Sequence, residues 1–289
     1  MRGSDLLRSW KLGTLGGVEI YAHSTCVVLL AAQLVQPMIV GGWGLAAYRL
    51  ALILAVLGFI VLHELGHAWM ARQYGIGTRD ITLYPIGGVA SLERMSEEPR
   101  EEFWIAVAGP AVTTVIVAML RLPTLILPEW FPCRTTASFL PGCFVFDLAL
   151  INLALLLFNL VPAFPMDGGR ALRALLSVSL GRLRATKIAA GLGAGFALLF
   201  GLFGALSGQV ILVLVAAFIY FVGKREMASV QHDELLRQIP AVEVLPSETE
   251  IPDAAKSGSP RSGMLTWEES VRVWVFWENG RPVHKFRAR

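Results

Sequence analysis

The chain has 289 residues, of which 55% are hydrophobic and 16% charged, with a mean hydropathy of +0.59. That composition excludes an ordinary water-soluble domain. The formal net charge of +3 says little as a total, and no nucleic-acid partner is expected; its distribution along the chain is what informs.

Crossing a bilayer takes roughly 20 mainly apolar residues, and stretches near 22–40, 50–71, 102–120, 143–161, 188–204 and 207–222 qualify. The expected fold is therefore an all-α polytopic membrane protein of about six transmembrane helices. A cytosolic or interfacial segment at 1–20 precedes a membrane domain at 21–223, and a cytosolic tail occupies 224–289. The first apolar run begins beyond residue 20 and is long enough to span, so it is read as a retained helix and not as a cleaved signal. Basic residues gather before the first span (Arg2, Arg8, Lys11), after the second (Arg72, Arg79, Arg94, Arg100), after the fourth (Arg170, Arg173, Arg182, Arg184, Lys187) and after the sixth (Lys224, Arg225). The opposite connections hold Arg49, Arg121 and Arg134. A positive-inside bias then places both termini in the cytoplasm of a multi-pass cell-membrane protein.

Residues 1–20 read as a partly amphipathic lead-in or a flexible basic tail. His23 opens the first span at the interface, where it either approaches a metal or proton path or is hydrogen-bonded locally. The second span carries "HELGH" at 63–67, five to nine residues before Arg72. At 1.5 Å per residue the cluster is submerged by roughly 8–14 Å in the cytoplasmic half of the membrane. Thr78 to Leu83 leans to strand and Gly87-Gly88 supplies a turn, which together predict a short membrane-associated β-hairpin or re-entrant loop. An exposed strand edge there can pair with an extended segment of another chain; the alternative is an ordinary interfacial loop.

The third span starts with an acidic first turn, and Gly109-Pro110 inside it either kinks the helix or lets a neighbour approach closely. Residues 121–142 form a proline- and aromatic-rich connector. Pro162 and Pro165 break the fourth span, and helix is expected to resume near Gly168 with leucines at 172, 175, 176 and 180 set against arginines at 170, 173, 182 and 184. That pattern suits a helix lying at the cytoplasmic surface or ending within the protein. The last two spans are rich in small residues and contain no ionisable group, so they read as scaffold. In the tail, strand-like alternation flanks "ENG" at 278–280, which predicts a hairpin. Cys26, Cys133 and Cys143 lack the spacing of a thiolate metal site; Cys133 and Cys143 either pair in an oxidising compartment or remain free.

The chemistry lies in "HELGH". His63 and His67 are four apart on one helical face, so both imidazoles can meet one metal ion, and Glu64 is adjacent and able to take a proton from water. A catalytic zinc site normally takes a third protein ligand. Asp80, Glu93, Glu97, Glu98, Glu101, Glu102, Asp147 and Asp167 are the candidates, and Asp167 wins on its setting in "NLVPAFPMDGGR" at the same membrane depth. Its other reading is the N-cap of the helix that follows. Asn159, at the same helix break, either donates to a developing oxyanion or holds the break together.

The chain resembles the site-2 protease family of intramembrane zinc metalloproteases. The likeness rests on "HELGH" at 63–67, "GGVA" at 87–90, "AGP" at 108–110 and "NLVPAFPMDGGR" at 159–170, in that order, and covers roughly residues 15–225. It implies one catalytic Zn2+ held by His63, His67 and Asp167, Glu64 as catalytic acid and base, and Asn159 as an oxyanion or substrate contact. It also implies that substrate lies against Ile86, Gly87, Gly88 and Val89. The expected partners are a transmembrane protein substrate and the lipid bilayer, with a regulatory protein or oligomerisation acting through the membrane helices or the tail. The PDZ and CBS domains of many relatives have no room here. A metal transporter or sensor, or a scaffolding pseudoprotease, is the alternative reading of the same residues.

Overall fold

The computed structural model describes residues 9–84, 87–94, 96, 98–127, 141–238, 242–245, 264–268, 273–278 and 281–288. Two strands, β1 (Ser9–Leu15) and β2 (Val18–His23), stand where the sequence suggested an amphipathic lead-in. Gly16 and Gly17, both at positive φ, make the tight turn between them, and alternation in "VEIYAH" suits a half-buried strand. On the polar outer face Lys11 and Tyr21 both donate to Glu19, and these hydrogen bonds hold the Glu19 carboxyl below its ordinary range.

β2 leads into α1 (Ser24–Gln73), which returns to β3 (Thr78–Tyr84), and β3 pairs antiparallel with β4 (Gly87–Leu92). The sheet order is β1-β2-β3-β4, with β2 and β3 parallel. Because α1 starts and ends at neighbouring strands of one sheet, its two halves must run out and back. Gly42, at φ 67° and ψ −166°, is the non-helical residue that breaks it, in a region open essentially to glycine. Gly87 and Gly88 lie within β4 and not in the turn that the sequence suggested there. Ile81 and Leu83 are buried, and β3 and β4 pack on α1.

Four more helices complete the first compact unit: α2 (Pro99–Ile126), α3 (Pro141–Asn159), α4 (Asp167–Leu180) and α5 (Arg182–Ser207), followed by most of α6 (Val210–Gln238). The fold is mostly helical. Gly42–Gln73, Pro99–Ile126 and Arg182–Ser207 are long and apolar enough to cross a membrane, and Ser24–Ile39 and Cys143–Asn159 are shorter apolar helices. α6 carries an apolar run that ends at Lys224, Arg225 and Glu226. Pro110 sits inside α2 without ending it. Cys143 is buried and disulfide-bonded and Cys26 is free; Cys133 lies outside the described residues. The second unit, Gln231–Arg289, holds the end of α6 and a sheet of order β5-β8-β7-β6, formed by β5 (Val242–Leu245), β6 (Met264–Glu268), β7 (Val273–Glu278) and β8 (Arg281–Ala288).

Of the two settings that its sequence suggested, at the surface or within the protein, α4 takes the second on its Arg173 face. Arg173 is fully buried, its Nε 2.7 Å from Glu102 of α2 while its Nη1 pairs with Glu226 of α6, and its guanidinium lies 4.8 Å from the centre of the Phe164 ring. Leu175 and Val178 point outward instead. In a chain surrounded by lipid the leucines need no protein partner, whereas the charge does. The triad thereby ties α4 to both neighbours. Arg173→Ala leaves two carboxylates with no cation, one of them buried, and is expected to cost on the order of 3–5 kcal/mol. The thermal unfolding midpoint in detergent should fall accordingly, and Glu102→Gln in the same background should recover part of the loss.

Candidate metal centre

His63 and His67 project from α1 one turn apart, as their spacing requires, with ring centroids 4.8 Å apart. Asp167 arrives from the first turn of α4. It does not cap that helix: Met166 is the N-cap and no side chain supplies a cap hydrogen bond. The segment before it is folded tightly. A Cβ on Gly168 would stand 2.4 Å from the carbonyl oxygens of Leu160 and Val161, and one on Gly169 would stand 2.4 Å from the carbonyl carbon of Ala163. Phe164 N–H donates to Ala189 of α5 at 3.2 Å, and Gly193 of α5 is the residue over which the Phe164 carbonyl fits. The two glycines after Asp167 thus let the broken chain fold back and deliver the carboxylate.

Asp167 Oδ2 lies 3.1 Å from His63 Nε2 and 3.3 Å from His67 Nε2, and the two Nε2 atoms are 3.1 Å apart. One ligand atom from each residue falls within 4.8 Å of the others. Both histidines are buried. Their outer nitrogens are engaged elsewhere: His67 Nδ1 lies 2.7 Å from the carbonyl of Ile105, and His63 Nδ1 lies 2.8 Å from Thr113 Oγ1. A carbonyl only accepts, so His67 Nδ1 carries a proton, and in the neutral ring its Nε2 then holds the lone pair. Thr113 is also 3.3 Å from the Gly109 carbonyl, to which its hydroxyl donates, so it accepts from His63 in turn. Two imidazole lone pairs and a carboxylate oxygen then face one another in a buried space. A cation reconciles three acceptors so placed, and two neutral imidazoles with one carboxylate form the donor set of an open zinc site.

The centre opens into a cavity of about 430 Å³ lined by Glu64, Asn152, Asn159, Asp167 and the β4 residues Gly87 to Ala90. Glu64, Asn159, Gly87, Gly88 and Val89 therefore share one cavity with the metal ligands, whereas Ile86 lies outside the described residues. Among the described residues, none of the remaining candidate ligands joins this cluster. Asp80 accepts from Thr82 and Ser91, Glu101 from Ser96 and Asp147 from Tyr48, while Glu102 pairs with Arg173 and Glu97 is outside the described residues. His23 is not near the centre: it caps α1, accepting from Thr25 N–H, and stacks on Tyr84 at 5.1 Å.

The model of peptidase family M50 matches residues 51–139 and 134–202. The chain belongs to peptidase family M50. The family's site-2 protease branch is the one its motifs resemble, and its members are zinc metalloproteases. A zinc metalloprotease of Methanocaldococcus jannaschii is 38% identical over 242 residues, 82% of this chain and 66% of that protein. Stage IV sporulation protein FB of Bacillus subtilis is 30% identical over 144 residues, 49% of this chain and 46% of its own length. The chain thus spans about half to two thirds of the length of these curated relatives. The solved structure of a site-2 protease from Methanocaldococcus jannaschii, 37% identical, superposes with a TM-score of 0.56 and covers 84% of this chain and 100% of that one. Zinc is accordingly the ion that His63, His67 and Asp167 fit.

Sequence reasoning missed Thr113, the Ile105 carbonyl and Asn152. The one signal for Thr113 was a hydroxyl placed one turn beyond Gly109 on the same face of an apolar helix. Asn152 is buried in α3, seven residues before Asn159 and so on the same face, and donates to the Leu148 carbonyl at 2.8 Å. Gly109 and Gly88 have sharper duties. A Cβ on Gly109 would stand 2.2 Å from His67 Nε2, and one on Gly88 would stand 2.7 Å from Glu64 Cγ. Gly109→Ala should therefore lower bound zinc, measured by elemental analysis of purified protein. Gly88→Ala should leave zinc in place and reduce peptide hydrolysis.

Proposed function

We propose that this chain is an intramembrane zinc-dependent endopeptidase that hydrolyses peptide bonds in or near the transmembrane segments of membrane proteins. The observation that carries this reading is the buried His63, His67 and Asp167 cluster with Glu64 in the same cavity. When bound, Zn2+ supplies Lewis-acid polarisation and makes water a nucleophile at neutral pH. Glu64 takes the proton of the attacking water and returns it to the leaving amine, the two halves of one acid and base cycle. Asn159, on the last residue of α3, offers its amide N–H to the oxyanion that forms on the scissile carbonyl.

A substrate helix has its backbone groups paired internally and hides its carbonyls from attack. It must unwind, and each freed N–H and C=O then needs a partner inside the membrane. β4 pairs with β3 on one side only, and its residues Gly87 to Ala90 line the cavity. An extended substrate segment adds there as a further strand, with Ile86, Gly87, Gly88 and Val89 as its neighbours.

The out-and-back course of α1, together with the basic residues at 72–100, 170–187 and 224–225, supports six crossings with both termini in the cytoplasm and the centre in the cytoplasmic half of the bilayer. On this reading 21–223 is the protease domain, 1–20 its interfacial lead-in, and 224–289 a cytosolic tail suited to contact a regulator or a second copy. Metal transport is disfavoured because Asp147, the polar group that a route to the far leaflet would need, is held by Tyr48 at 2.8 Å.

Glu64→Gln should retain one zinc ion per chain and lose hydrolysis of a membrane-protein substrate reconstituted in liposomes. Full turnover by that variant would remove Glu64 from the mechanism, and absence of zinc from the wild-type chain would remove the reaction class.

A further inference from the structure

We propose that Thr113 fixes the tautomer of His63 and so determines how firmly the centre holds its zinc ion, an inference that rests on the zinc-site reading above. The two metal-ligating histidines are held in different ways. His67 is oriented by a main-chain carbonyl, that of Ile105, 2.7 Å from its Nδ1, which no substitution removes. His63 depends on one side chain, the hydroxyl of Thr113, 2.8 Å from its Nδ1.

The direction of that hydrogen bond follows from its surroundings. Thr113 Oγ1 is 3.3 Å from the carbonyl oxygen of Gly109, one turn earlier in α2, and that oxygen has no proton to give. The hydroxyl hydrogen is spent there, in the back-bonding habit of threonine in helices. Oγ1 then faces the imidazole as an acceptor, so the His63 proton sits on Nδ1 and the Nε2 lone pair points at the centre. Thr113 is only 4% exposed, which leaves no bulk water to take over its part.

Without the hydroxyl, Nδ1–H would stand unpaired against an apolar wall, a costly arrangement for a buried donor. The ring has a ready remedy. Moving the proton to Nε2 lets it donate to Asp167 Oδ2, 3.1 Å away, and satisfies the metal-free cluster. That internal hydrogen bond occupies two of the three ligand atoms that zinc needs. Thr113 thus acts as a positioning residue: it makes the metal-free arrangement the less favourable one.

The test measures zinc affinity, not turnover, on the full chain in detergent and in the Glu64→Gln background, with a chromophoric chelator as competitor. Thr113→Val, which keeps the shape and removes the hydroxyl, should weaken zinc binding by about 10–100-fold, the range found when outer partners of metal-bound histidines are removed. Thr113→Ser, which keeps the hydroxyl, should stay close to the parent. The unfolding midpoints of the zinc-stripped parent and Thr113→Val proteins should agree. Should the valine variant not fold, Thr113→Ala compared with Thr113→Ser gives the same contrast. Parental affinity in Thr113→Val overturns the proposal, and so does an equal loss in Thr113→Ser, which would assign the effect to packing. A parent that binds no zinc overturns the metal centre itself, an outcome distinct from a zinc-binding parent whose valine variant is unchanged.

Discussion

A carboxylate placed among apolar helices without a positive partner is among the costliest arrangements a membrane protein can hold. Asp167 stands among such helices, with the ring nitrogens of His63 and His67 at 3.1 and 3.3 Å from its Oδ2. As neutral imidazoles with their protons held outward by Ile105 and Thr113, both rings present lone pairs toward it. The fold therefore builds a deficit of positive charge at one point. α1 supplies the imidazoles, α4 the carboxylate, and α2 the outer partners that prevent the deficit from being filled internally.

α2 emerges as the helix on which the others depend. Its face at Ile105, Gly109 and Thr113 receives the two histidines, and its first turn provides Glu102 to the buried Arg173 of α4. α2 and α4 thus meet at two points, one beside the ligands suited to a metal ion and one closed by arginine. The second fixes where α4 lies, and so where Asp167 points. Zinc and guanidinium play equivalent electrostatic parts, but only zinc leaves a coordination position free for water.

What the sequence disclosed and what it withheld divide along physical lines. Helical spacing set His63 beside His67, and the rarity of ionisable groups in apolar runs singled out both together with Asp167. Thr113 escaped notice because a hydroxyl in a span costs little and has local acceptors everywhere, so nothing about its presence demands a partner. The burial of Arg173 was less legible for the opposite reason. Alternating arginine and leucine is the mark of an amphipathic surface helix in water, but here the apolar face meets lipid and the arginine turns inward. The strands β1 and β2 were hidden by brevity: two runs of seven and six residues carry too little periodicity to declare themselves, and their partner β3 lies beyond a 50-residue helix. The finer membrane topology rests on charge bias, since α3 and α6 have apolar runs shorter than a full crossing asks.

The glycines show how the two halves of the reaction are kept apart in space yet act on one bond. Gly109 admits the ligand His67, whereas Gly88 admits the proposed base Glu64, and each leaves no room for even a methyl group. Gly109 stands in α2, which holds the metal ligands rigid. Gly88 stands in β4, the strand along which substrate is proposed to lie, so Glu64 is close between the helix that bears it and that strand. A substrate strand pairing with β4 would be brought into register with Glu64 by the sheet's own hydrogen bonds. Positioning of the scissile bond is then a property of backbone pairing, which tolerates many side chains. Selection among membrane proteins on this account falls to how readily a segment unwinds, more than to which residues it carries.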